Sequence, residues 1–366
     1  MTSTPSSLFD PVTLGEIELS NRIVMASMSR ARTNNLGLVP NELQVEYYRQ
    51  RASAGLIMTE GTWPSREAIG AAFVPGLFSA AQVEGWKRIT DTVHEAGGRI
   101  MVQLGHTGAG SHPDLLDGNL PLAPSAVGLN LDVFTGDMAK SPVPRAMTLE
   151  EIQRTVEDYA KATRLAQEAG FDGVELHGTV GYLLPQFLNE RFNRREDAYG
   201  GSIENRVRFP LEVLNAMIAE WRPGRVGFKV SPAISMGDLA PTDQTLPTYE
   251  RLVQEVSKLG IAYMQLQNAE GALRGSPVEV LANRTPDHFR SHYSGAIIAN
   301  GGYDKAGAER VIADGIAEAV AFGTPFLANP DLVERLKHDI ALAPVPPREV
   351  WYGGGAEGYL TYEAAS

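Results

Sequence analysis

The sequence predicts an α/β fold, a single (β/α)8 TIM barrel that spans residues 1–366. Three observations predict it: short apolar and β-branched runs alternate with longer helical patterns, there are eight such runs, and a loop rich in Gly, Pro or polar residues follows each one. The runs are residues 23–26, 56–59, 100–104, 173–176, 226–230, 263–267, 296–299 and 319–322. No internal repeat, charge block or low-complexity segment interrupts the series, so we predict one domain.

The segments around these runs have recognisable signals. Val12–Leu14 and Ile17–Leu19 flank Gly15, a pattern that predicts an N-terminal hairpin closing the bottom of the barrel. Residues 149–169 show helical periodicity, with Thr148 as the N-cap and Gly170 after the end.

Two connections are longer than simple βα loops: residues 105–147 after the third run and residues 177–207 after the fourth. Loops of that length usually carry function. An open doubly wound sheet is the structural alternative. It would need a Gly-rich dinucleotide turn of the G-x-G-x-x-G kind after an early strand, and none is present there.

Composition excludes several classes of function. The 366 residues contain no cysteine, which rules out disulfides, thiolate nucleophiles and sulfur-based metal sites, and we predict no metal site. A net charge of −12 argues against nucleic acid, which is bound by clustered Lys and Arg. No run of eighteen apolar residues occurs, and residues 1–10 lack the order of a secretory signal, so we expect a cytoplasmic protein that does not bind membranes.

Polar residues and glycines concentrate where the runs end. Barrel enzymes place their active sites at the carboxyl ends of the strands. Phosphate groups commonly bind to the loops that follow the seventh and eighth strands. A single polar residue there is usually a turn or a cap, but a cluster predicts a binding site. The cluster comprises Ser27, Ser29, Glu60, Gly61, Gln103, His106, His177, Tyr182, Lys229, Ser231, Gln267, Asn268, Asn300, Gly301, Gly302, Gly323 and Thr324.

Six ordered stretches resemble the old yellow enzyme family of flavin-dependent ene-reductases. They are YYRQRASAGLIMTEGT (47–62), VQLGHTG (102–108), HGTVGYLLPQFL (177–188), YGGSIENRVRF (199–209), NGGYD (300–304) and FLANPDLV (326–333). RIVMASMSRAR near the start and WYGGGAEGY near the end extend the resemblance to both termini. It implies a noncovalent FMN across the barrel mouth, reduced by NAD(P)H, and transfer of hydride to the β-carbon of an activated alkene.

The resemblance also implies roles for residues of this chain. His177 matches the donor to the substrate carbonyl oxygen and Tyr182 the proton donor. The implied cofactor site comprises Ala26, Ser27, Met28, Ser29, Gly61, Gln103, Lys229, Asn300, Gly301, Gly302, Gly323 and Thr324, and the implied substrate pocket comprises Gly105, Val180 and Tyr352. The chemistry is coherent, because hydride addition to an enone builds negative charge on oxygen, which an N–H donor stabilises most in the transition state.

The sequence departs from the family pattern at several of these positions. Val180 replaces a second carbonyl donor, Lys229 replaces an Arg beside the flavin, and Thr324 replaces an Arg that clamps the phosphate, which should weaken FMN binding. Gly105 and Ala109 replace a Trp and an Arg, which would enlarge and neutralise one side of the mouth.

Three interpretations stay open. The first is an FMN ene-reductase for a larger, less conventional small molecule. The second is a barrel with weak or no flavin binding that catalyses a nonredox isomerisation, cyclisation or addition. The third is a noncatalytic binding protein. The choice between NADPH and NADH is also open, as is the assembly state, which could be a monomer, a homodimer or a larger form.

Overall fold

The computed structural model describes residues 7–179, 181–269, 271 and 273–365. Its strands, in chain order, are β1 (Val12–Leu14), β2 (Ile17–Leu19), β3 (Ile23–Met25), β4 (Leu56–Thr62), β5 (Ile100–Leu104), β6 (Leu122–Ala123), β7 (Asp132–Phe134), β8 (Met138–Lys140), β9 (Arg145–Ala146), β10 (Gly173–Gly178), β11 (Val226–Val230), β12 (Tyr263–Gln267), β13 (Ile297–Asn300) and β14 (Ala319–Phe322).

Eight of these strands close into a parallel barrel. Its order is β3-β4-β5-β10-β11-β12-β13-β14, with β14 pairing back to β3. All eight pairings are parallel. The predicted (β/α)8 barrel is therefore confirmed, and the open-sheet alternative is wrong because both edges of the sheet are paired.

Two strands extend at least two residues beyond the runs read from the sequence. β4 continues to Thr62 through a register shift between Met58 and Gly61, and β10 continues to Gly178. His177 is thus the penultimate residue of a buried strand rather than the first residue of a loop. Its pairing with Lys229 of the neighbouring strand β11 holds its backbone in place.

Helices surround the barrel and follow the predicted alternation. They are α1 (Glu42–Arg49), α2 (Ala80–Glu95), α3 (Leu149–Glu168), α4 (Leu183–Leu188), α5 (Ile203–Arg206), α6 (Arg208–Glu220), α7 (Thr245–Val256), α8 (Thr285–Arg290), α9 (Lys305–Ala313), α10 (Thr324–Ala328) and α11 (Leu332–Lys337). In α3 the Thr148 side chain accepts from the Glu151 N–H and the Glu151 carboxylate accepts from the Thr148 N–H, a capping box that confirms Thr148 as the N-cap. Within the described part of the chain, no helix is both long and apolar enough to cross a lipid bilayer.

The predicted N-terminal hairpin closes the amino-terminal end of the barrel. β1 and β2 pair antiparallel with Gly15 between them at a φ of +59°. Leu14 and Ile17 pack with side chains from inside the barrel, including Met101 and Tyr263. The barrel interior is therefore sealed at this end, and space for a ligand remains at the other.

The two long connections contain structure of their own. Between β5 and α3, β6 pairs with β9, and β7 pairs antiparallel with β8. Between β10 and α6 lie the short helices α4 and α5. Both connections leave the carboxyl ends of their strands, which places them around the mouth of the barrel.

Candidate active site

A cavity of about 910 Å³ lies at the carboxyl ends of the barrel strands, a size within the roughly 300–1,000 Å³ typical of ligand sites. It is lined by nearly all the predicted site residues: Ala26, Ser27, Met28, Ser29, Gly61, Gln103, His177, Tyr182, Lys229, Asn300, Gly301, Gly302, Gly323, Thr324 and Tyr352. Val180 lies outside the described residues. Gly105 does not line the cavity and is discussed below.

A chain of buried hydrogen bonds fixes the amide of Gln103 on the floor of the cavity. The Ser27 hydroxyl donates to Gln103 Oε1 at 2.7 Å, and Gln103 Nε2 donates to Glu175 Oε1 at 2.7 Å. The Tyr263 hydroxyl donates to the other oxygen of Glu175 at 3.1 Å. Because an ionised carboxylate only accepts hydrogen bonds, Glu175 fixes the orientation of the Gln103 amide with its NH2 group towards the carboxylate. Burial raises the pKa of Glu175, and the nearby Lys229 ammonium opposes that shift.

The glycine turn after β13 forms one wall of the cavity. Gly301 and Gly302 have φ values of +93° and +75°, which glycine adopts without strain. Asn300 Nδ2 donates to the Ala321 carbonyl at 3.0 Å and ties the turn to β14, while Asn268 Nδ2 donates to the Gly301 carbonyl at 3.3 Å. A Cβ atom at Gly302 would meet nothing within 4 Å, so open space borders the backbone here.

Side chains at this end of the cavity supply hydroxyl and carboxylate groups. Thr324 is the first residue of α10, and Asp304 caps α9 by accepting from the Gly307 N–H at 2.7 Å. The cationic residues among the described cavity lining are Arg30 and Lys229. Arg30 is 1% exposed, and its guanidinium binds the Trp351 and Gly358 carbonyls and the Tyr47 hydroxyl.

His177 is a neutral hydrogen-bond donor in this cavity. Burial, reinforced by the positive charge of Lys229 on the adjacent strand, lowers its pKa to about 3. The Thr179 backbone N–H donates to His177 Nδ1 at 3.3 Å. An N–H group cannot accept, so Nδ1 is the unprotonated nitrogen and the ring proton lies on Nε2.

Tyr182 lies beside His177 at the start of α4. The ring centroids are 4.9 Å apart and the ring planes are tilted by 59°. Burial, with a smaller effect of Tyr352, raises the pKa of Tyr182 to about 12, so the phenol stays protonated at neutral pH. Gly181, with a φ of +74°, turns the chain between the two residues. The cavity therefore combines an N–H donor and an O–H donor on one wall.

The position of Gly105 corrects one expectation. A Cβ atom at Gly105 would lie 3.0 Å from His177 Cδ2, so the His177 ring packs directly on this glycine, and Gly105 supports the ring instead of enlarging the mouth. Ala109 is also fully buried, in an apolar cluster with Leu129 and Phe192, and lies away from the cavity lining.

Four other residues expected at the mouth have structural roles or lie elsewhere. Glu60 accepts from the Arg30 and Ala31 backbone N–H groups, and Asn268 braces the Gly301 turn. His106 is buried, with Nδ1 accepting from the Gly108 N–H, and Ser231 lines a separate small pocket.

Sequence reasoning missed several residues that the fold brings to the site. Glu175 and Thr179 contact the predicted residues directly, and the β7–β8 hairpin contributes Asp132, Val133, Phe134 and Met138 to the cavity wall. For Glu175, the strand alternation that puts it on the same face as His177 was a usable signal. For the hairpin, no signal in the sequence indicated which way the long connection folds.

The residues present fit FMN. Gly61 has no side chain to fill the space beside Gln103 Oε1 and Ser29 Oγ, which lie 3.7 Å from the position of a Cβ, so a flat ring can approach the backbone. Those two polar groups match the hydrogen-bonding edge of a flavin, and the open backbone at Gly302 can accommodate a phosphate. Thr324 supplies a hydroxyl group there in place of a guanidinium.

Comparison with known proteins supports the same assignment. The model of the NADH:flavin oxidoreductase / NADH oxidase family matches residues 7–343. A 12-oxophytodienoate reductase 1 from Oryza sativa subsp. japonica is 39% identical over 339 residues, 92% of this chain and 87% of that protein. The structure of morphinone reductase superposes with a TM-score of 0.93 at 38% identity, covering 100% of this chain and 98% of that one. An old yellow enzyme homologue from Zymomonas mobilis gives 0.90 at 35% identity, covering 98% and 99%.

These similarities confirm the predicted class, a flavin-dependent oxidoreductase that acts on C=C bonds with FMN as cofactor and NAD(P)H as reductant. They favour reduction over the nonredox alternative. The barrel, the cavity and the full-length matches together place this chain in the NADH:flavin oxidoreductase / NADH oxidase family, as a member of the old yellow enzyme group.

Proposed function

We propose that this chain reduces an activated alkene, with His177 binding the substrate carbonyl oxygen through Nε2–H and Tyr182 donating the proton. One observation carries the assignment: a neutral imidazole donor and a phenol lie with ring centroids 4.9 Å apart in the wall of one cavity. An enone needs these two groups, because one end of the conjugated system gains negative charge and a carbon gains a proton.

The cofactor is held mainly by neutral groups. Gln103 and Ser29 would bind the pyrimidine edge, Gly301 and Gly302 would present backbone N–H groups to the phosphate, and Lys229 would supply a positive charge. The chemistry that FMN would supply when bound and reduced by NAD(P)H is hydride for the β-carbon of the substrate. The fixed orientation of Gln103 avoids reorganisation when the cofactor binds, since Ser27 and Glu175 already occupy its remaining hydrogen-bonding positions.

His177 stabilises the negative charge that develops on the substrate oxygen. Its lowered pKa keeps the ring neutral, and the bond at Nδ1 leaves Nε2–H for the substrate. A preorganised donor of this kind contributes about 2.7–4 kcal/mol to the transition state. Since Val180 cannot donate, the sequence supplies one side-chain donor here where the family pattern has two.

Tyr182 delivers the proton to the carbon next to the carbonyl. A pKa of about 12 makes it a weak acid towards water, but an enolate carbon is basic enough to take its proton. Tyr182 is partly exposed in the cavity, so its proton can be replaced from solvent.

We also infer that Tyr352 contacts the substrate. It lines the cavity and is 58% exposed. The neighbouring Trp351 carbonyl is held by the buried Arg30 at 2.8 Å, which fixes this segment over the mouth. The proposal further includes a small-molecule substrate, a cytoplasmic location and a homodimer, the last to be tested by sedimentation.

The proposal is tested on purified protein in two steps. We expect a yellow preparation whose heat-released chromophore is FMN, and oxidation of NADH or NADPH that accelerates when a cyclic enone is added. The product should be the saturated ketone by mass spectrometry. A colourless protein, folded by circular dichroism, that fails to take up FMN would contradict the proposal. So would a yellow protein that reduces no enone or nitroalkene in a broad panel.

A further inference from the structure

We propose that Thr179 is a positioning residue for the reaction: its hydroxyl group donates to His177 Nδ1 and thereby holds the imidazole as the Nε2–H tautomer. This inference rests on the proposed function, in which His177 binds the carbonyl oxygen of the substrate. Thr179 follows β10 directly and lines the same cavity. Its side chain contacts His177, two positions earlier in the chain.

The geometry supports two donors at one nitrogen. Thr179 Oγ1 lies 3.0 Å from His177 Nδ1, and the Thr179 backbone nitrogen lies 3.3 Å from the same atom. Thr179 is 1% exposed and His177 is 7% exposed, so water competes little for these bonds. Because the backbone N–H can only donate, Nδ1 carries a lone pair, and the hydroxyl must also donate to it.

The hydroxyl is the shorter of the two contacts and therefore the more effective. A backbone contact of 3.3 Å is long for an N–H donor, whereas 3.0 Å is at the outer end of the normal range for a hydroxyl donor. Without the hydroxyl, the tautomer would depend on the weaker contact alone. The loss would release part of the ring population to the Nδ1–H form, which presents no proton to the substrate.

The bond also strengthens the donor on the other side of the ring. A group that donates to Nδ1 withdraws electron density from the imidazole, which makes Nε2–H more acidic and a better donor. Two neighbours also support this role of His177. The Lys229 ammonium opposes protonation of the imidazole, and Gly105 packs against the ring. Thr179 thus increases the strength of a donor that has no partner donor at position 180.

The test compares Thr179→Val, which keeps the shape and loses the hydroxyl, with Thr179→Ser, which keeps the hydroxyl. Proteins labelled with ¹⁵N-histidine contain seven histidines, and the His177 ring signals are identified by their loss in His177→Gln. In the FMN-loaded wild type at pH 7 we expect one neutral Nε2–H pattern. The valine variant should shift towards a mixture of tautomers, and the serine variant should retain the wild-type pattern.

Kinetics provides the second measurement. Loss of a buried neutral hydrogen bond is worth about a fivefold change, so kcat/KM for an enone should fall by about that factor in Thr179→Val and recover in Thr179→Ser. The visible spectrum of bound FMN should be the same in all three proteins, which separates this effect from loss of cofactor. Thr179→Ala is assessed in the same way if valine prevents folding.

Two results would overturn the inference. One is a His177 tautomer pattern that is unchanged when the hydroxyl is removed. The other is a changed pattern with kcat/KM within twofold of the wild type. Neither result affects the proposed function, which fails instead if His177→Gln reduces the enone at the wild-type rate.

Discussion

Glu175 accepts a 2.7 Å hydrogen bond from the side-chain amide of Gln103, although the two residues are 72 positions apart in the chain. The contact arises because β5 and β10 are neighbours in the barrel and their register pairs these two residues. It links a carboxylate fully buried inside the barrel to the polar floor of the cofactor cavity.

Replacing Glu175 by leucine should weaken FMN binding. The change leaves Gln103 Nε2 without an acceptor and the Tyr263 hydroxyl with only a 3.7 Å contact to Met101 Sδ, and a buried unpaired donor costs about 1–3 kcal/mol. We expect the free energy of unfolding to fall by that amount and the Kd of FMN, measured by fluorescence quenching, to rise about tenfold. Glu175→Gln is the matched control, because its carbonyl oxygen can still accept from Gln103. A leucine variant with wild-type affinity for FMN would show that the amide needs no orienting partner.

Tyr182→Phe should slow proton delivery while leaving reduction by NAD(P)H unaffected. General acid catalysis is typically worth about 10²–10⁴ in rate, so we expect the oxidative half-reaction with an enone to slow by at least about a hundredfold. Stopped-flow recording of the flavin absorbance separates the two halves. The control is Tyr199→Phe, whose hydroxyl binds Glu212 away from the cavity lining. Equal oxidative rates in Tyr182→Phe and the wild type would remove this residue from its proposed role.

His177→Leu should lose the donor to the substrate oxygen. The expected decrease in kcat/KM for an enone is about 10²–10³, the usual effect of removing one oxyanion donor. The exposed His338→Gln, which loses only a surface pair with Glu334, is the control. Activity within tenfold of the wild type in His177→Leu would indicate that another group binds the carbonyl.

Acid should destabilise the fold through two buried histidines. Burial lowers the pKa of both His106 and His177 to about 3, against about 6.5 in an unfolded chain. Between these values the unfolded state binds more protons, so stability falls as the pH falls from about 6.5 towards 3, by up to about 1.4 kcal/mol per pH unit per histidine.

Thermal unfolding followed by circular dichroism between pH 4 and 7 measures this effect. His106→Gln should have a shallower slope than the wild type, because one of the two depressed groups is gone. Identical slopes would contradict the assigned pKa of His106.

Thr324→Arg should tighten FMN binding selectively at its phosphate. Thr324 begins α10 and lines the same cavity as the open Gly302 backbone, and a guanidinium there can form charge-assisted bonds. We expect the Kd of FMN to fall about tenfold while the Kd of riboflavin, which lacks the phosphate, stays the same. Salt should weaken the gain, and Thr324→Gln should not reproduce it. An equal gain for riboflavin would show that residue 324 lies away from the phosphate.

The barrel could be read from the sequence because its signals are local. Alternation of apolar runs with helical patterns, the Thr148 capping box and the glycine between β1 and β2 each depend on residues close together in the chain. The rule that parallel barrels gather their carboxyl strand ends then indicated where the site residues would meet. Resemblance to a family added the identity of the cofactor.

The tertiary structure decided how those residues are supported. Glu175 beneath Gln103, the His177 ring against Gly105 and the hairpin wall at Phe134 all depend on strand register and on the path of a long connection. Such contacts join residues far apart in sequence, and no local pattern encodes them. The sequence by itself therefore determined the architecture and the chemical groups of the site, while only the folded chain determined their hydrogen-bond partners, because close packing of neighbouring strands selects those partners.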